Sequence, residues 1–212
     1  MATALTPCLE LDPGMNMRSI TILLFSLSMS PTAASVGAVP PIPTDQDQAP
    51  RGTFVDLRDG RAYAWVRIGT QVWMAENLAF RTPSGSWCYE DDEARCREYG
   101  RLYDWETAQT ACPQGWRVPS REDWQLFIAT LGPDSRRKVV VGGESGFEGK
   151  LAGDRYYDGR FRGLGEVTHF WANAKFNDDH AHEAIILPNH SDLHVGGYGT
   201  AGAASVRCLR VD

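Results

Sequence analysis

From Gly52 onward, apolar and polar positions alternate with two different periods. TFVDL (53–57) and RAYAWVRI (61–68) are short β-type runs separated by Asp59-Gly60, a dipeptide suited to a tight hairpin turn. Gly69-Thr70 makes a second turn before QVWMAEN (71–77). The period then lengthens. Trp105, Ala108 and Ala111 share one helical face, which predicts a helix over about 103–111. It should stop at Cys112-Pro113, because proline disfavours helical geometry in the residue before it. Ser120 and Asp123 form a capping-box-like pair. Behind them Trp124, Phe127, Ile128 and Leu131 stand at i, i+3, i+4 and i+7, one apolar stripe that Gly132-Pro133 ends. Glycine-rich loop follows, broken by strand candidates at 169–176, 181–187 and 204–210. Strands, two helices, then long loops and strands imply an α+β domain with an antiparallel sheet.

The first fifty residues read differently. ITILLFSLSM (20–29) is too short to span a bilayer core of about 30 Å. Arg18 precedes it and small residues follow, the order of a secretory signal peptide over 1–34, with cleavage after Ala34 or Ala38. Glu10 and Asp12 do not suit such a peptide, which makes Met15 or Met17 the expected start. VPPIPTDQDQAP (39–50) holds four prolines and no aromatic residue, so 35–51 reads as an extended linker before a domain over 52–212. The expectation is an exported protein (secreted, periplasmic or at the cell surface) that is not an integral membrane protein once processed. A net charge of −6 argues against a nucleic-acid partner, which would require a basic face.

Export changes how the cysteines read. With Cys8 removed, Cys88, Cys96, Cys112 and Cys208 remain, an even number in an oxidising compartment. Of the three possible pairings, Cys88–Cys96 with Cys112–Cys208 is the simplest. In the chain-entropy model these loops would contribute roughly 2.6 and 4.7 kcal/mol. Zinc is the rival reading, but no C-x-x-C pair is present.

The ordered series DG-x-x-Y (59–63), IG-x-Q-x-WMAENL (68–78), W-C-Y (87–89), YGRLYxW (99–105), CPxGWxxP (112–119) and SVRC (205–208) resembles the Fibrobacter succinogenes major paralogous domain. The likeness covers most of 52–212 and departs at 132–146. It implies a C-type-lectin-like fold, with a disulfide joining an early helix to the last strand, and it implies no established enzymatic activity. Calcium-dependent lectins carry Glu-Pro-Asn or Gln-Pro-Asp with Trp-Asn-Asp downstream, which this chain lacks.

Candidate chemistry is sparse. Cys112 ends a helix, where the dipole disfavours a thiolate, so a structural disulfide is expected in place of a nucleophile. The four acids Glu90–Glu93 lack the alternation and turn glycine of a calcium loop. His180 and His182, on one strand face, are weak metal candidates within a group of five histidines confined to 169–194. Of the seven tryptophans, at least five are expected to be buried. Trp87, Tyr156 and Tyr157 stand in loops as candidate ligand-binding residues. The reading is a non-catalytic binding or structural module without a cofactor, recognising a surface glycan or a protein. Its alternative is a metal-dependent or oxidative enzyme on a fold like that of the formylglycine-generating enzymes.

Overall fold

The computed structural model describes residues 50–211. The expected signal segment 1–34, nearly all of the linker 35–51, Cys8 and the alternative starts Met15 and Met17 lie outside the described residues. Within them the chain forms β1 (Arg51–Val55), β2 (Ala62–Ile68), β3 (Gln71–Met74), β4 (Ser86–Trp87), α1 (Glu93–Tyr99), β5 (Leu102–Asp104), α2 (Trp105–Ala111), β6 (Trp116–Arg117), α3 (Arg121–Leu131) and α4 (Ser135–Val139). The second half adds β7 (Ala152–Arg155), β8 (Phe161–Leu164), β9 (Thr168–Lys175), β10 (His180–Ile186), β11 (His194–Gly199), β12 (Ala203–Ser205) and β13 (Leu209–Arg210).

These make an α+β domain with two sheets rather than one. The smaller runs β1-β2-β3-β13-β6 and the larger β11-β10-β9-β7-β12-β5-β4, with β8 added on β7. Most pairings are antiparallel, but β9 lies parallel to both β7 and β12. Both turn dipeptides act as expected, so β1 pairs with β2 and β2 with β3, in antiparallel register.

α3 follows its stripe. Ser120 Oγ accepts from the Asp123 amide at 3.1 Å while Asp123 Oδ2 accepts from the Ser120 amide at 2.6 Å. Trp124 and Phe127 are buried, and Ile128 and Leu131 pack beside them. Trp124 meets Trp73 at 4.6 Å and Phe170 at 5.6 Å, so the helix fills the space between the two sheets with aromatic rings.

Three expectations shift. α2 begins at Trp105 rather than near 103, because the Asp104 carboxylate caps it by accepting from the Thr107 amide at 2.7 Å. Tyr103 belongs to β5, opposite Ala204. Two further helices appear, α1 and α4; EARCREY and SRRKV are too polar and too short to show an apolar stripe. The strand expected over 204–210 is two strands: β12 joins the larger sheet and β13 the smaller.

Val206, Arg207 and Cys208 bridge them. The Met74 amide donates to the Cys208 carbonyl at 3.0 Å and the Leu78 amide to that of Val206 at 2.9 Å. Arg207 is fully buried and has no ion-pair partner among the described residues. Its five N–H groups are all used. Nε and Nη2 donate to Asn77 Oδ1 at 3.1 and 2.6 Å, Nη1 to the carbonyls of Met74 (3.1 Å) and Phe147, and Nη2 to that of Glu148 (3.2 Å). The guanidinium lies 4.2 Å over the Phe147 ring. Burial pushes its pKa down to about 9, still above neutrality. Asn77 Nδ2 donates in turn to the Tyr99 carbonyl at 2.9 Å.

Two disulfides complete the scaffold. Cys88–Cys96 closes the loop that contains the start of α1, and Cys112–Cys208 ties the end of α2 to the bridge. Trp116, which follows α2, is half-buried and stacks on Phe54 at 4.5 Å. Replacing Arg207 by Met should cost roughly 3 kcal/mol or more, because three buried acceptors and one partly buried acceptor lose their donors. The Cys112→Ala/Cys208→Ala double variant should lose about 4 kcal/mol. Urea unfolding of each variant measures these losses.

Candidate functional site

Three of the sequence candidates, Tyr156, Tyr157 and His180, line one cleft. β7 and β8 form a hairpin whose turn, Tyr156-Tyr157-Asp158-Gly159, projects beside β11, the outer strand of the larger sheet. Gly153 has φ +66, and a Cβ there would run into the Arg162 carbonyl and the Leu164 amide of β8. With glycine in place, Asp154 and Arg162 stand directly opposite each other across the hairpin.

Tyr156, Tyr157, Arg162, His180 and Tyr198, with the 199–202 turn, enclose a cleft of about 460 Å³. The Tyr156 and Tyr157 rings sit 4.3 Å apart at its mouth, and Tyr157 is 67% exposed. The Arg162 guanidinium stacks on Tyr156 at 3.9 Å.

Beneath lies a buried polar network. Arg162 Nε donates to Asp154 Oδ1 at 2.8 Å and its Nη2 to Oδ2 at 3.1 Å. The Tyr198 hydroxyl donates to Asp154 Oδ2 at 2.8 Å. His169 Nε2 stands 3.4 Å from that same oxygen, while its Nδ1 lies 2.6 Å from Glu183 Oε2. Asp154, Glu183 and His169 are all buried, so these contacts replace the water each group gives up. A neutral imidazole can donate to only one of the two carboxylates, whereas the imidazolium donates to both. Burial pushes the Tyr198 phenol up and the adjacent Asp154 charge pushes it further, so it stays a donor. The hydrogen bond from Arg162 to Asp154, outweighing the effect of burial, holds that guanidinium charged.

The network orients the cleft floor. Both nitrogens of His169 face carboxylates, and Tyr198 covers its ring at 4.5 Å. No serine or cysteine stands next to the imidazole in this set.

The other candidates scatter. Trp87 is half-buried under Arg155 at 4.5 Å and lines a separate groove of about 360 Å³ with Trp105 and Lys175. The Thr200-Ala201 turn borders both clefts. Trp73, Trp124 and Trp171 are buried, whereas Trp65, Trp87, Trp105 and Trp116 are only partly so, fewer than the five expected. His180 is exposed, with Nδ1 3.3 Å from Asn177 Oδ1, and His182 packs its ring against Phe176. Among the described residues, the group of three His, Cys, Asp or Glu ligand atoms within 4.8 Å of one another is Cys88, Glu93 and Cys96, whose two sulfurs are bonded together. In the acidic run, Asp92 caps α1 by accepting from the Ala94 amide at 2.8 Å.

Sequence reasoning missed Asp154, Glu183 and Tyr198. Part of the signal was present: Asp158-Gly159 is a hairpin dipeptide, and it places Asp154 and Arg162 across from each other. His169 and Glu183 meet diagonally across β9 and β10, a relation that needs the register of those strands.

Residues 66–143 match the family model of the Fibrobacter succinogenes major domain. No curated protein and no solved structure matches the chain at a significant level. The family match ends before β7, so the cleft lies outside it. No helix among the described residues is long and apolar enough to cross a membrane.

Burial also raises the phenols of Tyr63, to about 12, and Tyr103. All three folded values exceed the unfolded value near 10, so their stabilising contribution is complete below about pH 10 and is lost as pH rises past it. Phenolate absorbance of Tyr63, Tyr103 and Tyr198 should appear in one step with loss of the near-UV dichroism above about pH 10. Ionisation of Tyr198 in the intact fold would contradict its contact with Asp154.

Proposed function

We infer that this chain, which matches the Fibrobacter succinogenes major domain over residues 66–143, is an exported, non-catalytic binding module with a C-type-lectin-like fold. Its ligand is a surface glycan, bound in the cleft at Tyr156 and Tyr157. The observation that carries this reading is the exposed Tyr157 ring, set beside the half-buried Tyr156 ring, above a floor locked by the Asp154–His169–Glu183 network. Aromatic faces pack against the apolar faces of sugar rings, and a floor held by buried hydrogen bonds loses little freedom on binding. Asp179, Thr200 and the backbone of Gly197 and Gly199 supply polar groups for hydroxyls. Two disulfides support an oxidising compartment.

A glycan array probed with and without calcium tests the reading. The wild type should bind one class of glycan equally well under both conditions. Tyr156→Ala and Tyr157→Ala should each weaken that binding by about tenfold, equivalent to about 1.4 kcal/mol. An array without any bound glycan, or binding untouched by both substitutions, overturns it and leaves a protein ligand as the alternative.

A further inference from the structure

A further cleft of about 350 Å³, sharing no lining residue with the tyrosine cleft, is walled by arginines. Arg58 and Arg61 come from the turn between β1 and β2, Arg81 from the segment after β3, Arg97 from α1, and Arg101 from just ahead of β5. Asp59 and Glu93 are the carboxylates in the same wall. Five guanidinium groups against two carboxylates leave a local excess of three positive charges, in a chain whose net charge is −6. Counting Asp56 and Glu76 behind the wall, the excess is still one.

The arginines differ in how fully they are satisfied. Arg58 is committed, with Nη2 2.7 Å from Asp56 Oδ2 and its guanidinium 3.8 Å over Phe80. Arg101 is buried, with Nη1 3.1 Å from each sulfur of the Cys88–Cys96 disulfide and 3.5 Å from Glu93 Oε1. Glu93 also serves Arg81, at 4.0 Å, so one half-exposed carboxylate is divided between two cations. Arg97 makes no side-chain hydrogen bond or ion pair with the described residues. Cations crowded around too few carboxylates repel one another, and an anion seated among them relieves that repulsion.

We propose that this cleft binds a tetrahedral oxyanion, a sulfate or phosphate group of the kind carried by an acidic carbohydrate. Guanidinium forks match such groups in a bidentate manner. Arg81 and Arg97 supply the open forks, and Arg101 supplies a fixed charge at the back, held in place by the disulfide. The site is separate from the tyrosine cleft and does not depend on it.

The test is calorimetric titration with sodium sulfate and sodium phosphate at ionic strength held constant with chloride. A sulfated monosaccharide and a sugar phosphate form two further arms that separate the sources of the group. The Arg81→Ala/Arg97→Ala variant removes two solvent-exposed side chains and leaves the core untouched. Arg121→Ala/Arg137→Ala removes the same charge from α3 and α4. We expect saturable binding by the wild type, at least tenfold weaker binding by the first variant, and a change within twofold for the second. Tyr157→Ala should bind the anions like the wild type. No saturable binding by the wild type, or equal weakening in both double variants, overturns the proposal.

Discussion

A buried guanidinium with no carboxylate partner among the described residues is the constraint on which the rest of this structure depends. Arg207 stands where the chain leaves the larger sheet for the smaller, and every one of its donors has an acceptor. Those acceptors belong to three separate segments: the end of β3, the Asn77 corner and the loop at 147–148. An arginine in so dry a place is tolerable only when all of them are in position together. The side chain thus acts as a gauge of the whole domain. If any one segment moves away, a charged group loses a hydrogen bond with no water to replace it.

The contact of Asn77 with Arg207 joins two stretches far apart in the chain. WMAENL delivers the asparagine and SVRC the arginine, and the cysteine after the arginine carries the disulfide to α2. The scaffold motifs were legible because each has a local signature: a turn dipeptide, a capping pair, a cysteine, a stripe. α3 is the clearest instance, since its cap, its apolar face and its glycine stop all lie within thirteen residues. α1 was hidden because the disulfide and the Asp92 cap hold it in place, with little contribution from an apolar face. The division of 204–210 was hidden because a run of strand-forming residues does not reveal that its halves pair with different sheets.

The sites were harder to read than the scaffold for a related reason. Tyr156 and Tyr157 were visible as loop aromatics, but the network under them joins β7, β8, β9, β10 and β11. Only the register of those strands brings Asp154, His169 and Glu183 together. The arginine cleft draws on five places between residues 58 and 101, none of them a basic run. A negative net charge says little about where the positive charges gather. The two clefts differ in chemistry, one lined by tyrosine rings and the other by arginine side chains.

The position of β13 has a consequence for how the molecule is made. It pairs with β3 on one side and β6 on the other, so it occupies the interior of the smaller sheet. Among the thirteen strands of the described residues, it is the last to be synthesised. Until Leu209 and Arg210 emerge, β3 and β6 have no strand between them, and the arginine that closes the core has only just been added. Local hairpins and helices can form as the chain grows, but the two sheets cannot be locked together before synthesis reaches this strand.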